Sequence, residues 1–297
     1  MTGPGCRKRR EPKPAGGGSA PGERLRHGGN GRATRLPFRL GTTSYIIPDD
    51  ILPNLRHLRG RVDDVELVLF ESEAFCNLPS PGDVADMAHL AQEAGLSYTV
   101  HLPLDTRTGS ADEGERTASV GKCRRVIECT RALDPFAWIL HLHGDRRGDP
   151  PTAEPARWVE QHRRSLDELL DGGPAPGRIC VETLDYDFGY VAGLVEALDL
   201  SVCLDIGHLL VAGRSVSAHV DRWLDRTRVF HVHGVRPDGV DHAHAGYLPD
   251  GVLEELTERL AVLQGDGARV VTLEVFGEED FEQSMVVVQE RLAKWLK

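Results

Sequence analysis

The chain has 297 residues, 40% of them hydrophobic and 27% charged, and a net charge of −11. That length carries one large α/β domain or two smaller ones with a full core. The acidic balance excludes general affinity for nucleic-acid backbones and anionic membrane surfaces.

The charge is uneven. Residues 1–36 hold nine Lys/Arg against Glu11 and Glu23, a net +7, so the remainder carries −18. This opening segment is rich in Gly, Pro and Arg with almost no apolar periodicity, so it cannot offset the entropy of ordering. We expect a disordered basic tail over 1–36, with Arg7–Arg10 solvated, and a catalytic domain over 37–297. From Phe38 strand and helix alternate. FRLGTTS reads as a first strand, followed by a helix opened by Pro48 with Asp49 and Asp50 in its first turn. VELVLFE is a second strand, and its helix PGDVADMAHLAQEAG stops at Gly95. SYTVHLPLD is a third strand, with a long helix from about Asp112 to Leu133. PFAWILHLHGD, GRICVETLD, LSVCLDIGH, TRVFHVHGV and ARVVTLEVF supply five more strands. Their helices cover about Glu154–Leu170, FGYVAGLVEAL, a stretch ending near Leu224, PDGVLEELTERLAVLQ, and a last one running to Lys297. The strands are near-continuous Val/Ile/Leu runs, as in sheets covered on both faces. Eight such repeats predict an α/β (β/α)₈ TIM barrel, with an open doubly wound sheet as the alternative.

Polar residues punctuate the ends of these runs. The third strand reaches His101, the fourth His141 and His143, the fifth Glu182, and the sixth Asp205 and His208. The seventh reaches His231 and His233, with Asp241 and His242 in the loop beyond, and the eighth reaches Glu274. His with Asp/Glu is the ligand set of zinc and related divalent ions, and strand C-terminal ends are where barrels keep their active sites. Each residue alone could be paired locally. Together they would demand many separate compensations for buried polar groups, which shared metal ions supply at once. Asp205-Ile-Gly-His208 is the most diagnostic local motif. HLHG at 141–144 and HVHG at 231–234 are twins whose alternate histidines share a strand face. The earlier histidine of each pair is expected on a metal; His143 and His233 are expected nearer substrate. His57, His89, His162 and His219 fall on helices and read as surface residues. Cys180 and Cys203 lie inside strand runs as small buried hydrophobes. The chain has no apolar run near the ~20 residues of a membrane span and no signal-peptide pattern, so a cytoplasmic setting is expected.

The strand-end order His, His, Glu, Asp-x-x-His, His, Glu resembles the xylose-isomerase-like barrel superfamily, which holds sugar-phosphate isomerases, epimerases and endonuclease IV-type nucleases. The likeness covers about residues 38–297. Carried across from the nuclease pattern, it implies His101 and His141 on one ion, with Glu182 bridging to a second. It also implies Asp205, His231 and Glu274 on that second ion and His208 on a third. For the third, this chain reads Asp241-His242-Ala243-His244, so either Asp241 with His242 or His242 with His244 would complete it. Two or three divalent ions, zinc or manganese, are implied.

The first two strands, FRLGTTSYIIPDDILPN and VDDVELVLFES, resemble the branch of this superfamily that remodels cobamides. That likeness implies hydrolysis of the nucleotide-loop phosphodiester of a corrinoid to cobinamide phosphate and the ribazole nucleoside. Glu182, His208, Glu274, His233 and His143 would surround the reaction. The acidic barrel suits a small corrinoid better than a DNA duplex, and Tyr45, Ile46 and Ile47 would suit contact with a macrocycle. A sugar isomerase or epimerase, with Glu182 and Glu274 trading a proton at one ion, is the alternative enzyme. A non-catalytic corrinoid or metal carrier is the alternative of another class.

Overall fold

The computed structural model describes residues 36–72, 75–263 and 269–296. Its strands are β1 (Arg39–Thr43), β2 (Asp64–Val68), β3 (Ser97–His101), β4 (Trp138–Leu140), β5 (Ile179–Glu182), β6 (Ser201–Asp205), β7 (Thr227–Val232) and β8 (Val270–Leu273). All pair in parallel, in sequence order, and β8 returns to β1, closing a barrel. Between them run α1 (Ile51–Leu58), α2 (Pro81–Ala94), α3 (Glu113–Thr130), α4 (Pro155–Leu170), α5 (Gly189–Ala197), α6 (Ile206–Val211), α7 (Val216–Trp223) and α8 (Val252–Val262), with α9 (Glu278–Arg291) last. This is the (β/α)₈ TIM barrel that the alternation predicts. The expected tail lies outside the described residues apart from Leu36, which packs against the core.

Strand alternation divides the side chains. Ile179 and Val181 of β5, Val202 and Leu204 of β6, and Val271 and Leu273 of β8 join the large apolar layer between barrel and helices. The other phase contributes Ala137, Ile139, Cys180, Cys203, Val229 and Val270 to a small apolar plug inside the barrel. Continuing that inward phase upward brings His141, Glu182, Asp205, His231 and Glu274 to the C-terminal mouth. The site therefore stands on a packed floor.

Local chemistry explains where several elements start and stop. Ser80 caps α2 in a reciprocal capping box with Asp83, Pro81 opens the helix, and Gly95 ends it in the left-handed conformation. Helix α1 begins later than expected, with Asp50 as its N-cap and no acid in its first turn. The cause is Asn54, which is fully buried. Its Oδ1 accepts from the Ile46 and Ile47 amides at 2.8 Å, and its Nδ2 donates to the carbonyls of Ile47, Asp49 and Asp50. Pro48 is thereby held in the loop that wraps this side chain. Helix α9 likewise ends at Arg291. His162 corrects another expectation: it is fully buried, not on the surface, and bonds to Thr108 Oγ1 at 3.0 Å beneath Trp158. Burial pushes its pKa down to about 3, so it stays neutral.

At the opposite end of the barrel, Asp64 is fully buried at the start of β2, bonded to Ser97 and Thr99. Burial raises its pKa to about 6 against the partial relief of those bonds. A carboxyl raised in the fold contributes stability below its unfolded pKa and loses it as pH rises through about 6. Asp64→Asn, which keeps the acceptor for Thr99, should therefore gain about 2–3 kcal/mol on wild type between pH 4 and pH 7.5. Urea melts at both pH values test this, and a pH-independent difference would show that Asp64 ionises without penalty.

Candidate metal centre

Glu182 sits at the middle of the mouth, fully buried at the end of β5. Its Oε2 lies 3.4 Å from His101 Nε2, 2.9 Å from His141 Nε2 and 3.6 Å from His231 Nδ1. Its Oε1 lies 3.3 Å from His208 Nδ1. Asp205 ends β6 and doubles as the N-cap of α6. Its Oδ1 accepts the His208 amide at 2.6 Å, which leaves Oδ2 facing His208 Nδ1 at 3.2 Å and His231 Nδ1 at 3.7 Å. Glu274 Oε2 lies 3.2 Å from His231 Nδ1 and 3.5 Å from His242 Nε2. Donor atoms of His101, His141 and Glu182 lie within 4.8 Å of one another, as do those of Glu182, Asp205, His231 and Glu274, and those of His208, His233 and His242.

Closeness here does not mean hydrogen bonding. His141 Nε2, both Glu182 oxygens, Asp205 Oδ2, His231 Nδ1 and Glu274 Oε2 are buried with no hydrogen-bond partner among the described residues. Buried polar atoms of this kind cost about 1–3 kcal/mol each when unpaired. Their lone pairs converge, and the chemistry of the set, imidazole with carboxylate, fits divalent ions.

The outer ring nitrogens fit the same reading. His101 Nδ1 is 2.9 Å from the Leu102 carbonyl, His231 Nε2 is 2.9 Å from Glu66 Oε2, and His242 Nδ1 is 3.1 Å from Asp241 Oδ1. In each ring that acceptor takes the N–H and turns the bare nitrogen inward, the arrangement usual for histidines on metals.

His242 reaches the mouth because its backbone is left-handed, with φ at 53°, a conformation that costs a non-glycine residue about 1–3 kcal/mol. That turn stacks its ring on His233, centroids 4.2 Å apart, and sends its amide to His233 Nδ1 at 2.9 Å. His233 Nε2 is buried 3.2 Å from Asp205 Oδ1, with no hydrogen-bond partner among the described residues. His233 therefore joins His208 and His242 as a third group of converging donors beside Asp205. His244 faces elsewhere: its Nδ1 accepts the Gly246 amide and its ring packs on Tyr247. Asp241 and His242 thus lie together at the mouth, and His244 does not join them. Gly207 leaves room for this stack, since a Cβ there would sit 2.0 Å from the His233 ring. His143 stands to one side, its ring 4.9 Å from that of His141. Burial, with help from His141 and Arg107, pushes its pKa down to about 3.

The xylose isomerase-like TIM barrel family pattern matches residues 62–297, most of the chain. The protein belongs to that family. Among solved structures, the xylose isomerase-like barrel overlays a D-tagatose 3-epimerase-like protein with a TM-score of 0.65 at 18% identity, covering 86% of this chain and 98% of that one. Endonuclease IV from Thermus thermophilus overlays with a TM-score of 0.63 at 23% identity, covering 86% and 99%. The IolI protein, whose structure holds a zinc atom, gives 0.63 at 14% identity, covering 86% and 99%. No curated protein matches the sequence. At these identities the likeness is one of fold.

Glu66 is the residue of this xylose isomerase-like centre that the strand-end pattern misses. It lies inside β2, fully buried, one layer below the mouth. A signal for it exists: Glu66 is a lone charge in an apolar run and shares a strand face with Asp64. Without ions, protons must balance the carboxylates. Burial opposes charge on every group here, yet Asp205 and Glu182 hold His208 up to about 10, and Glu274 and Asp241 hold His242 up to about 9. His231 is likewise raised, and burial notwithstanding, the histidines hold Glu182 and Glu274 well below the usual carboxylate range.

Two outcomes follow from this balance. Zinc binding at pH 7 should release protons and weaken as pH falls, because the ion takes neutral imidazole. Calorimetry in buffers of different ionisation enthalpy reads the release, and buffer-independent heats would contradict it. Glu66→Gln should lower affinity for one ion about 10–100-fold without loss of fold. Unchanged affinity would leave Glu66 no part in orienting His231.

Proposed function

We propose that the protein is a metal-dependent phosphodiesterase that cleaves the nucleotide loop of a cobamide, giving cobinamide phosphate and the ribazole nucleoside. The observation that carries this reading is the excess of donors. A four-coordinate ion takes about four, and Glu182, Asp205, His231 and Glu274 already supply them. His101, His141, His208 and His242 remain, turned toward the same carboxylates. Two or three ions, zinc or manganese, would use them all, with Glu182 shared between the first two. Divalent ions held so supply a nucleophilic water at neutral pH and neutralise charge at phosphorus.

The protein's own residues do the positioning. The Leu102 carbonyl, Glu66 and Asp241 fix the orientation of the His101, His231 and His242 rings, and the apolar floor keeps water out from below. The mouth also presents apolar surface. Phe75, Leu104 and Phe276, in the loops after β2, β3 and β8, are about half exposed. Tyr45, Phe70 and Phe75 pack edge to face or tilted with centroids 5.9 and 5.6 Å apart. Such a rim suits a large, largely apolar macrocycle. Ile46, expected there, is instead buried in the core. Arg214 and Arg236 near the mouth are paired with Asp149, Asp187 and Asp280, which leaves less free cation for a duplex backbone.

An epimerase of a free sugar is the second reading. It is favoured by two carboxylates at one centre, Glu182 and Glu274, which lie 3.6 and 3.2 Å from His231 Nδ1, since a proton-trading pair needs two. One bound ion per chain would support it.

The deciding experiment incubates zinc- or manganese-loaded protein with cobamides in ¹⁸O-labelled water. Attack at phosphorus should place the label in cobinamide phosphate and none in the nucleoside. Label in the nucleoside would mean attack at carbon. No cleavage, with epimerisation of a sugar, would transfer the assignment. Glu182→Gln should lose most turnover and at least one ion, because a neutral amide bridges cations poorly. Full occupancy with normal turnover would remove Glu182 from the site.

A further inference from the structure

Beside the metal centre, between the loops that follow β3 and β4, lies a cleft of about 230 Å³ lined by Arg107, Ser110, Glu115, His143 and Asp145. It adjoins the first donor group directly, since the His143 ring packs on that of His141. Its walls are braced. Arg107 Nη1 donates to the Gly144 carbonyl at 3.2 Å, Trp158 Nε1 donates to the His143 carbonyl at 3.0 Å, and Ser110 and Thr152 hydroxyls donate to Glu115 and Asp145. Among the described residues, each of these carboxylates keeps its second oxygen free of any such bond. His143 Nε2 is buried and has no hydrogen-bond partner among the described residues.

The volume is below the ~300–1,000 Å³ of whole-ligand sites, so one moiety of a substrate fits and a macrocycle does not. Two carboxylates against one guanidinium repel an anion, and Arg107 opposes a simple cation. A neutral group that is both donor and acceptor satisfies both kinds of wall: a hydroxyl donates to a carboxylate oxygen and accepts from a guanidinium.

We propose that this cleft is a sugar subsite, which holds the free 2′-hydroxyl of a pentose ring attached to the group at the metal centre. The proposal rests on the phosphodiesterase reading for its source, the ribosyl group of a cobamide nucleotide loop. The same chemistry would serve a free sugar.

The test is calorimetry on zinc-loaded full-length protein with a benzimidazole ribonucleoside and its 2′-deoxy analogue. The ribonucleoside should bind at least about tenfold tighter, the scale of one lost polar contact. Asp145→Asn and Glu115→Gln should each shrink that ratio while metal content and the circular dichroism spectrum stay as in wild type. Free pentoses and hexoses form a second arm, and cobamide cleavage is assayed in parallel. Discrimination between the nucleosides without cobamide cleavage would keep the subsite and sink the phosphodiesterase reading, as would a free sugar whose affinity falls in Asp145→Asn. Cleavage with equal nucleoside affinities would sink the subsite alone. The subsite is also overturned if neither nucleoside nor any free sugar binds, or if the ratio survives both substitutions.

Discussion

A carboxylate with no exposed surface, set among imidazoles that do not hydrogen-bond to it, is the constraint around which this barrel is organised. Glu182 cannot be charged in that position without compensation, because an unpaired buried charge is among the most destabilising features a fold can carry. Protonated histidines supply compensation in the absence of ions, at the cost of placing several like charges within a few ångströms of each other. Divalent ions supply it better, since each satisfies several lone pairs at once. The same convergence that makes the centre expensive as a set of bare side chains makes it tight as a ligand set.

Two periodicities deliver that convergence. Strand alternation places His141, Glu182, Asp205, His231 and Glu274 in the inward phase, and the parallel register lines up their heights: Asp205 pairs with His231. The apolar plug of Ile139, Cys180, Cys203 and Val229 fills the layer beneath. Orientation comes from a separate set of groups. The Leu102 carbonyl, Glu66 and Asp241 each take an outer imidazole proton, so the ring rotation is decided outside the cluster and before any ion arrives. Position and orientation are thus fixed by different residues.

That division explains what can be read from the chain. Position follows from where apolar runs end, so the strand-end residues and the barrel itself are legible in the sequence. Orientation depends on contacts between distant strands, and these leave weak local marks. Glu66 meets His231 across a separation of 165 residues. That Asp241 and not His244 accompanies His242 at the mouth goes with one left-handed backbone angle, which the string Asp-His-Ala-His does not encode by itself. His162 resembles any helical surface histidine in the sequence because its burial comes from the loop after β3 folding over it. The start of α1 is displaced by the bonds of a single Asn54. In each case one specific contact or backbone angle overrides a pattern that is correct on average.

The donors also divide by the kind of element that carries them. Glu182, Asp205, His231 and Glu274 lie in the last two residues of, or just after, four successive strands, β5 to β8, and one ion would satisfy that group. His101 and His141 end or follow β3 and β4, His208 rides on the first turn of α6, and His242 sits on a loop at about 1–3 kcal/mol of backbone cost. A barrel needing only the group of four would have no use for that strained residue. Its amide and ring are both committed, to His233 and toward Glu274, so relaxing the loop would also release His233 beside Asp205. The strain is held in place by the contacts it makes possible, which ties the outermost donor to the innermost ones.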